Sequence, residues 1–165
     1  MTQDLLAKWL KTVIVMSALC LLIVYAAVLP MVAKSIVFAY PEFSGRYHPW
    51  SIFCSLTAIP CAAALIFAWK IAANIGRDRS FSMENAKHLR KIAYLAAIDA
   101  GYFFIGNIVL LILGMNHPTV FLVSMFLVFI GIGLSVAAAA LSHLVQKAAR
   151  QKNQGKEDGS YEERP

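Results

Sequence analysis

Apolar positions run almost unbroken through four stretches, 13–36, 51–75, 92–114 and 119–145, and the short segments between them collect the polar residues, prolines and glycines. A helix needs about 20 mostly apolar residues to cross a hydrocarbon core of roughly 30 Å. Each stretch meets that length, so the pattern predicts an all-α, four-helix transmembrane bundle as a single membrane domain over 1–145.

The first stretch follows Lys8 and Lys11. It is longer than the about 7–15 residues of a signal-peptide core, and Pro30 and Lys34 at its far end fit an uncleaved span. Cys20 follows Leu19 where a lipoprotein site would carry a small residue. Between the first two spans, Val37 to Trp50 mixes turn formers with Tyr40, Tyr47 and Trp50, aromatics suited to a loop at the headgroups. Pro60, inside the second span, removes a backbone donor and predicts a kink.

The segment 76–91 reads GRDRSFSMENAKHLRK and is the polar break between spans two and three. Ser82 is placed as an N-cap, Glu84 lies in the first turn where a negative charge meets the helix dipole, and Arg90 and Lys91 follow. A helix is expected to begin there and continue into the third span. Met115, Asn116, His117 and Pro118 then form a short turn that makes spans three and four an antiparallel hairpin. The segment 146–165 is polar and is expected to be a disordered tail.

Composition agrees with a bilayer as solvent: 59% of residues are hydrophobic and 15% charged, far from soluble averages. The formal charge of +6 does not indicate nucleic acid, because the basic residues cluster at the ends of apolar runs. Lys8, Lys11, Arg77, Arg79, Lys87, Arg90, Lys91, Lys147, Arg150, Lys152, Lys156 and Arg164 fall on one side of the membrane, and Lys34 and Arg46 on the other. That asymmetry predicts cytoplasmic termini and a cytoplasmic central loop. Cys20, Cys54 and Cys61 all lie in apolar runs without zinc or redox spacing and read as packing thiols.

Asp99 is the one acid within a span, and a charge at such depth costs about 2.5–3.5 kcal/mol on insertion scales, so it requires a partner. Lys70 lies at a comparable distance inside the second span and is one candidate. The other arrangement has Lys70 snorkelling to the interface while a protonated Asp99 bonds to Tyr94 or Tyr102. Asp99, Gly106 and Asn107 share a face of the third span, and Ser124, Gly131, Ser135 and Ser142 a face of the fourth. Such stripes allow close helix packing; a polar pathway is the alternative reading.

His48, His88, His117 and His143 are scattered over both sides, and no metalloprotease, nucleophile-elbow or phosphate-loop motif occurs. No cofactor or catalytic residue is therefore expected. In the central loop the basic residues either fix topology and touch anionic lipid headgroups or form a protein-docking surface of Arg79, Phe81, Ser82, Glu84, Asn85 and Arg90.

The run Arg79-Ser80-Phe81-Ser82, followed by Glu84-Asn85-Ala86 and Leu89-Arg90-Lys91-Ile92-Ala93, resembles a family of small bacterial four-span membrane proteins catalogued as a domain of unknown function. The resemblance implies a bacterial cytoplasmic membrane and a setting beside a small helix-turn-helix regulator, and it supplies no catalytic residues. The expectation is a multi-pass cell-membrane protein, non-enzymatic and accessory or regulatory, contacting lipid and a protein partner at the loop. The alternative is a subunit of an oligomeric small-solute or ion transporter.

Overall fold

The computed structural model describes residues 3–162, with the side chains of 42, 43, 46, 47 and 156–162 outside that description. Every regular element among them is helical: α1 (Gln3–Ile23), α2 (Leu29–Ala39), α3 (Tyr47–Leu56), α4 (Ala58–Ile75), α5 (Met83–Ile112) and α6 (Pro118–Glu162). They make four rods long and apolar enough to cross a membrane, Gln3–Ala39, His48–Ile75, Met83–Ile112 and Pro118–Gly155.

Two prolines explain why the first two rods are interrupted. Pro30 has no N–H to give the Ala26 carbonyl, and just before it the chain widens into a π turn, Val24–Val28, in which the Leu29 N–H reaches back to the Val24 carbonyl. Pro60 likewise deprives the Leu56 carbonyl, and the helix breaks at Thr57, between α3 and α4. The kink therefore falls three residues before the proline.

A Schellman turn ends α5: Met115 N–H bonds to the Leu110 carbonyl at 2.8 Å and Gly114 N–H to the Leu111 carbonyl at 3.0 Å. Gly114 takes φ 62°, a left-handed conformation that glycine adopts without steric cost. The His117 ring then caps α6, its Nδ1 accepting from Thr119 N–H at 3.2 Å, with Pro118 in the first turn.

The rods pack in sequence order, α1 on α4, α4 on α5 and α5 on α6, the last contact being the most extensive. Most buried positions are small or polar, Ala72, Ala86, Ala93, Ala100, Asn85, Asn107, Asn116, Ser124 and Ser142 among them, with Ile14, Leu110 and Val128 as larger exceptions. The large aliphatic and aromatic side chains, Leu22, Ile98, Ile112 and Phe129 for example, point outward. This inversion of the soluble pattern suits a bilayer, where lipid is as good a solvent for leucine as a protein core and close backbone approach holds helices together.

The α5/α6 seam shows the principle at work. Ala86, Ala93, Ala100 and Asn107 recur at every seventh position of α5 and are all buried. Opposite them, Ser142 Oγ donates to the Ala86 carbonyl at 2.7 Å and Ser135 Oγ to the Ala93 carbonyl at 2.8 Å. A Cβ on Gly131 would lie 3.2 Å from that of Ala100.

Helix α6 continues past residue 145 to Glu162, where the composition had suggested a disordered tail. Gln146, Lys147, Ala148, Ala149, Arg150 and Gln151 are good helix formers, and Ala149 is buried, which extends the seam by another repeat. Residues 163–165 lie outside the described residues, as does Arg164 of the orientation count; the side chains of Arg46 and Lys156 do so too.

Candidate functional site

The central connection is a built turn. Ser82 takes an extended conformation and its Oγ accepts the Asn85 N–H at 3.2 Å, capping α5. The Asn85 side chain, 1% exposed, then works in two directions. Its Oδ1 accepts from Asn74 Nδ2 of α4 at 2.9 Å, and its Nδ2 donates to the Arg79 carbonyl at 3.1 Å and the Ser80 carbonyl at 3.0 Å. The Asn74 carbonyl accepts from the Arg77 and Arg79 N–H groups, Asp78 bridges them at φ 56°, and Ser80 Oγ reaches Gln3 of α1 at 3.0 Å.

The six loop residues singled out in the sequence thus divide. Ser82 and Asn85 turn inward and hold the loop. Phe81 is 60% exposed, and Arg79, Glu84 and Arg90 are also exposed. Arg90 donates to Gln146 Oε1 at 3.2 Å, joining the loop surface to α6. Under this surface His88 stacks on Phe67, centroids 5.6 Å apart, with Nε2 3.6 Å from Glu84 Oε1.

Lys70 and Asp99 do not meet. Asp99 lies opposite Cys61, whose Sγ donates to Oδ2 at 3.6 Å. Lys70 stands nine residues further along α4, about 13 Å at the helical rise. Its ammonium instead sits 5.6 Å from the Phe67 ring centroid, where Lys91 also lies at 5.0 Å. The mismatch has a simple origin. Helix α5 begins at Met83, well before its apolar run, so the turn is short and Asp99 lies deeper than Lys70. Tyr102, the hydroxyl considered for Asp99, donates to the Phe53 carbonyl at 3.3 Å, and Tyr94 is exposed.

Asn107 is accounted for within the protein: Asn116 Nδ2 donates to its Oδ1 at 2.9 Å, and its own Nδ2 bonds to the Phe103 carbonyl at 2.7 Å. Gly106 faces α3 instead, since a Cβ there would fall 2.0 Å from Phe53. The predicted α5 face is therefore shared between two neighbours. Missed in the sequence was the polar contact of Tyr25, in the π turn, with Thr57 at the α3/α4 break; both lie just before prolines, and that coincidence was the available signal. Among the described residues no three of His, Cys, Asp and Glu converge as metal ligands.

Four apolar rods with small, polar interiors and a locked polar turn define an all-α, multi-pass protein of the cell membrane. The chain belongs to the family described as protein of unknown function (DUF2975), whose model matches residues 31–155. It is similar to the uncharacterized membrane protein YoaS of Bacillus subtilis (strain 168), with 24% identity over 142 residues, 85% of this chain and 89% of the relative. No solved structure matches the chain.

Proposed function

We propose that the chain is a non-enzymatic accessory or regulatory membrane protein that binds a protein partner through Arg79, Phe81, Glu84 and Arg90, on the cytoplasmic face. The observation that carries this reading is the Asn85 clasp. It holds the turn from inside with its hydrogen bonds to Asn74, Arg79 and Ser80, so the outward residues are presented in fixed positions. An exposed aromatic flanked by both signs of charge is the composition of an interaction surface, where a rigid ring loses little entropy on contact. The cytoplasmic placement rests on the basic-residue asymmetry.

The test is gentle crosslinking in the native membrane, purification in mild detergent and mass spectrometry of what accompanies the protein. A stoichiometric companion should be lost with Phe81→Ala and Arg79→Ala while both variants unfold at the wild-type temperature. Recovery undiminished by these substitutions, or no companion at all, would sink the reading.

A further inference from the structure

We propose that Asp99, Tyr25 and Thr57 form an intramembrane site for a hard monovalent cation, either a proton or a sodium ion. The apolar run of α5 begins at Ile92, and Asp99 stands seven residues inside it, about 10 Å at the helical rise, and so lies within the apolar layer of roughly 30 Å.

Its carboxyl is incomplete in either protonation state. As a carboxylate it has one weak donor, the Cys61 thiol at 3.6 Å, and no basic side chain pairs with it among the described residues. As an acid it has no acceptor for its proton at Oδ1, which is sheltered and without a hydrogen-bond partner among those residues. An unmet group at this depth is costly.

The groups around it supply acceptors. Thr57 Oγ1 donates to the Cys54 carbonyl at 2.7 Å, so in the contact between the two hydroxyls Tyr25 must be the donor. The Tyr25 oxygen is left with lone pairs and no proton to give, and Thr57 lies one helical turn from Cys61, whose N–H bonds to the Thr57 carbonyl at 3.5 Å and whose thiol meets Asp99. Tyr102, on the Asp99 helix, has its proton committed to Phe53, and Cys54 lies on the α3 side of the break. The nearest lysine on α4, Lys70, is about 13 Å away along the axis.

The π turn and the Thr57 break meet at the contact between Tyr25 and Thr57, and Pro30 and Pro60 withhold N–H donors from the Ala26 and Leu56 carbonyls. Irregular backbone within the hydrocarbon is tolerated where it is enclosed or lines a polar site, and interrupted helices near the midplane are a recurrent way to coordinate small cations. Oxygen ligands select a hard ion. A single carboxylate balances a single positive charge.

The experiment uses the full chain in mild detergent. Thermal unfolding is followed by helical circular dichroism as sodium chloride replaces choline chloride at constant ionic strength and pH. The carboxylic acid stretch is followed in parallel by infrared spectroscopy across pH. A sodium site gives a saturable rise of a few degrees in the unfolding midpoint. A proton site gives no sodium response but a carboxylic acid band that persists at pH values where the exposed carboxylates have ionised and disappears only as pH rises further. Asp99→Asn should abolish whichever response the wild type shows. Tyr25→Phe should shift its half-point several-fold in sodium or proton concentration. The proposal is overturned if the wild type shows neither response, or if Asp99→Asn folds and keeps it. Should Asp99→Asn not fold, an unchanged half-point in Tyr25→Phe overturns it.

Discussion

Helix α5 carries a buried asparagine at each end, and the two do different work. Asn85 bonds outside its own helix throughout, to a side chain of α4 and two carbonyls of the turn. Asn107 meets one side chain of the hairpin turn and otherwise bonds to its own helix. The contrast follows what each end must hold. At the hairpin end a Schellman turn, a ring cap and the small-residue seam already fix α6 against α5. At the loop end α4 and α5 share a thinner contact, and the turn between them has backbone groups that need partners from elsewhere. The asparagine therefore substitutes for missing packing at one end and supplements it at the other.

The largest effect should come from Asn85→Leu. Three hydrogen bonds disappear, and the Asn74 amide and two turn carbonyls lose their partner, which costs about 3 kcal/mol or more. Detergent unfolding should show that loss, and trypsin should cut faster at Arg77 and Arg79 as the turn opens. Unchanged cleavage would mean that the turn is held by something other than Asn85, and the contrast between the two ends would fail.

Asn107→Leu should cost less, about 1–2 kcal/mol, because the Phe103 carbonyl keeps its helical donor and mainly Asn116 is stranded. Here the rate of tryptic cleavage at Arg77 and Arg79 should match the wild type. A loss as large as that of Asn85→Leu would show that the hairpin depends on its polar pair more than on its packing.

These differences track what the sequence could disclose. The four spans were legible because length and apolarity alone determine them. The Ser82 cap was legible because capping is local chemistry. Helix register was not: a helix from Ser82 was expected, but depth counted from the edges of the apolar runs put Asp99 level with Lys70, whereas the short turn that joins Asn74 to Asn85 sets Asp99 deeper and out of reach of Lys70. Asn85 read as one more exposed polar residue, since nothing local distinguishes an asparagine that turns inward. The serine and glycine stripe of α6 was visible, whereas its partner, Ala86, Ala93 and Ala100, passed unnoticed because alanine is unremarkable until its spacing is matched to a neighbour. The helical extension beyond residue 145 was hidden by its polarity, which marks the end of the membrane and not the end of the helix.

The smallest effects should come from the seam, and they sharpen the comparison by showing what packing contributes without polar bonds. Ser135 and Ser142 donate to carbonyls of α5 that retain their own helical donors, so neither substitution by alanine strands a polar group. Alanine is also no larger than serine, and the close approach of the helices survives. Each single change should cost about 0.6 kcal/mol, the typical worth of an interhelical hydrogen bond in a membrane. The two should add, because they lie two turns apart with no shared partner. Ser135→Leu is the contrasting variant: the same bond is lost, but the added bulk must push α6 from Ala93. If it unfolds no more easily in detergent than Ser135→Ala, close packing is not what holds the hairpin, and the greater tolerance expected of Asn107 loses its explanation.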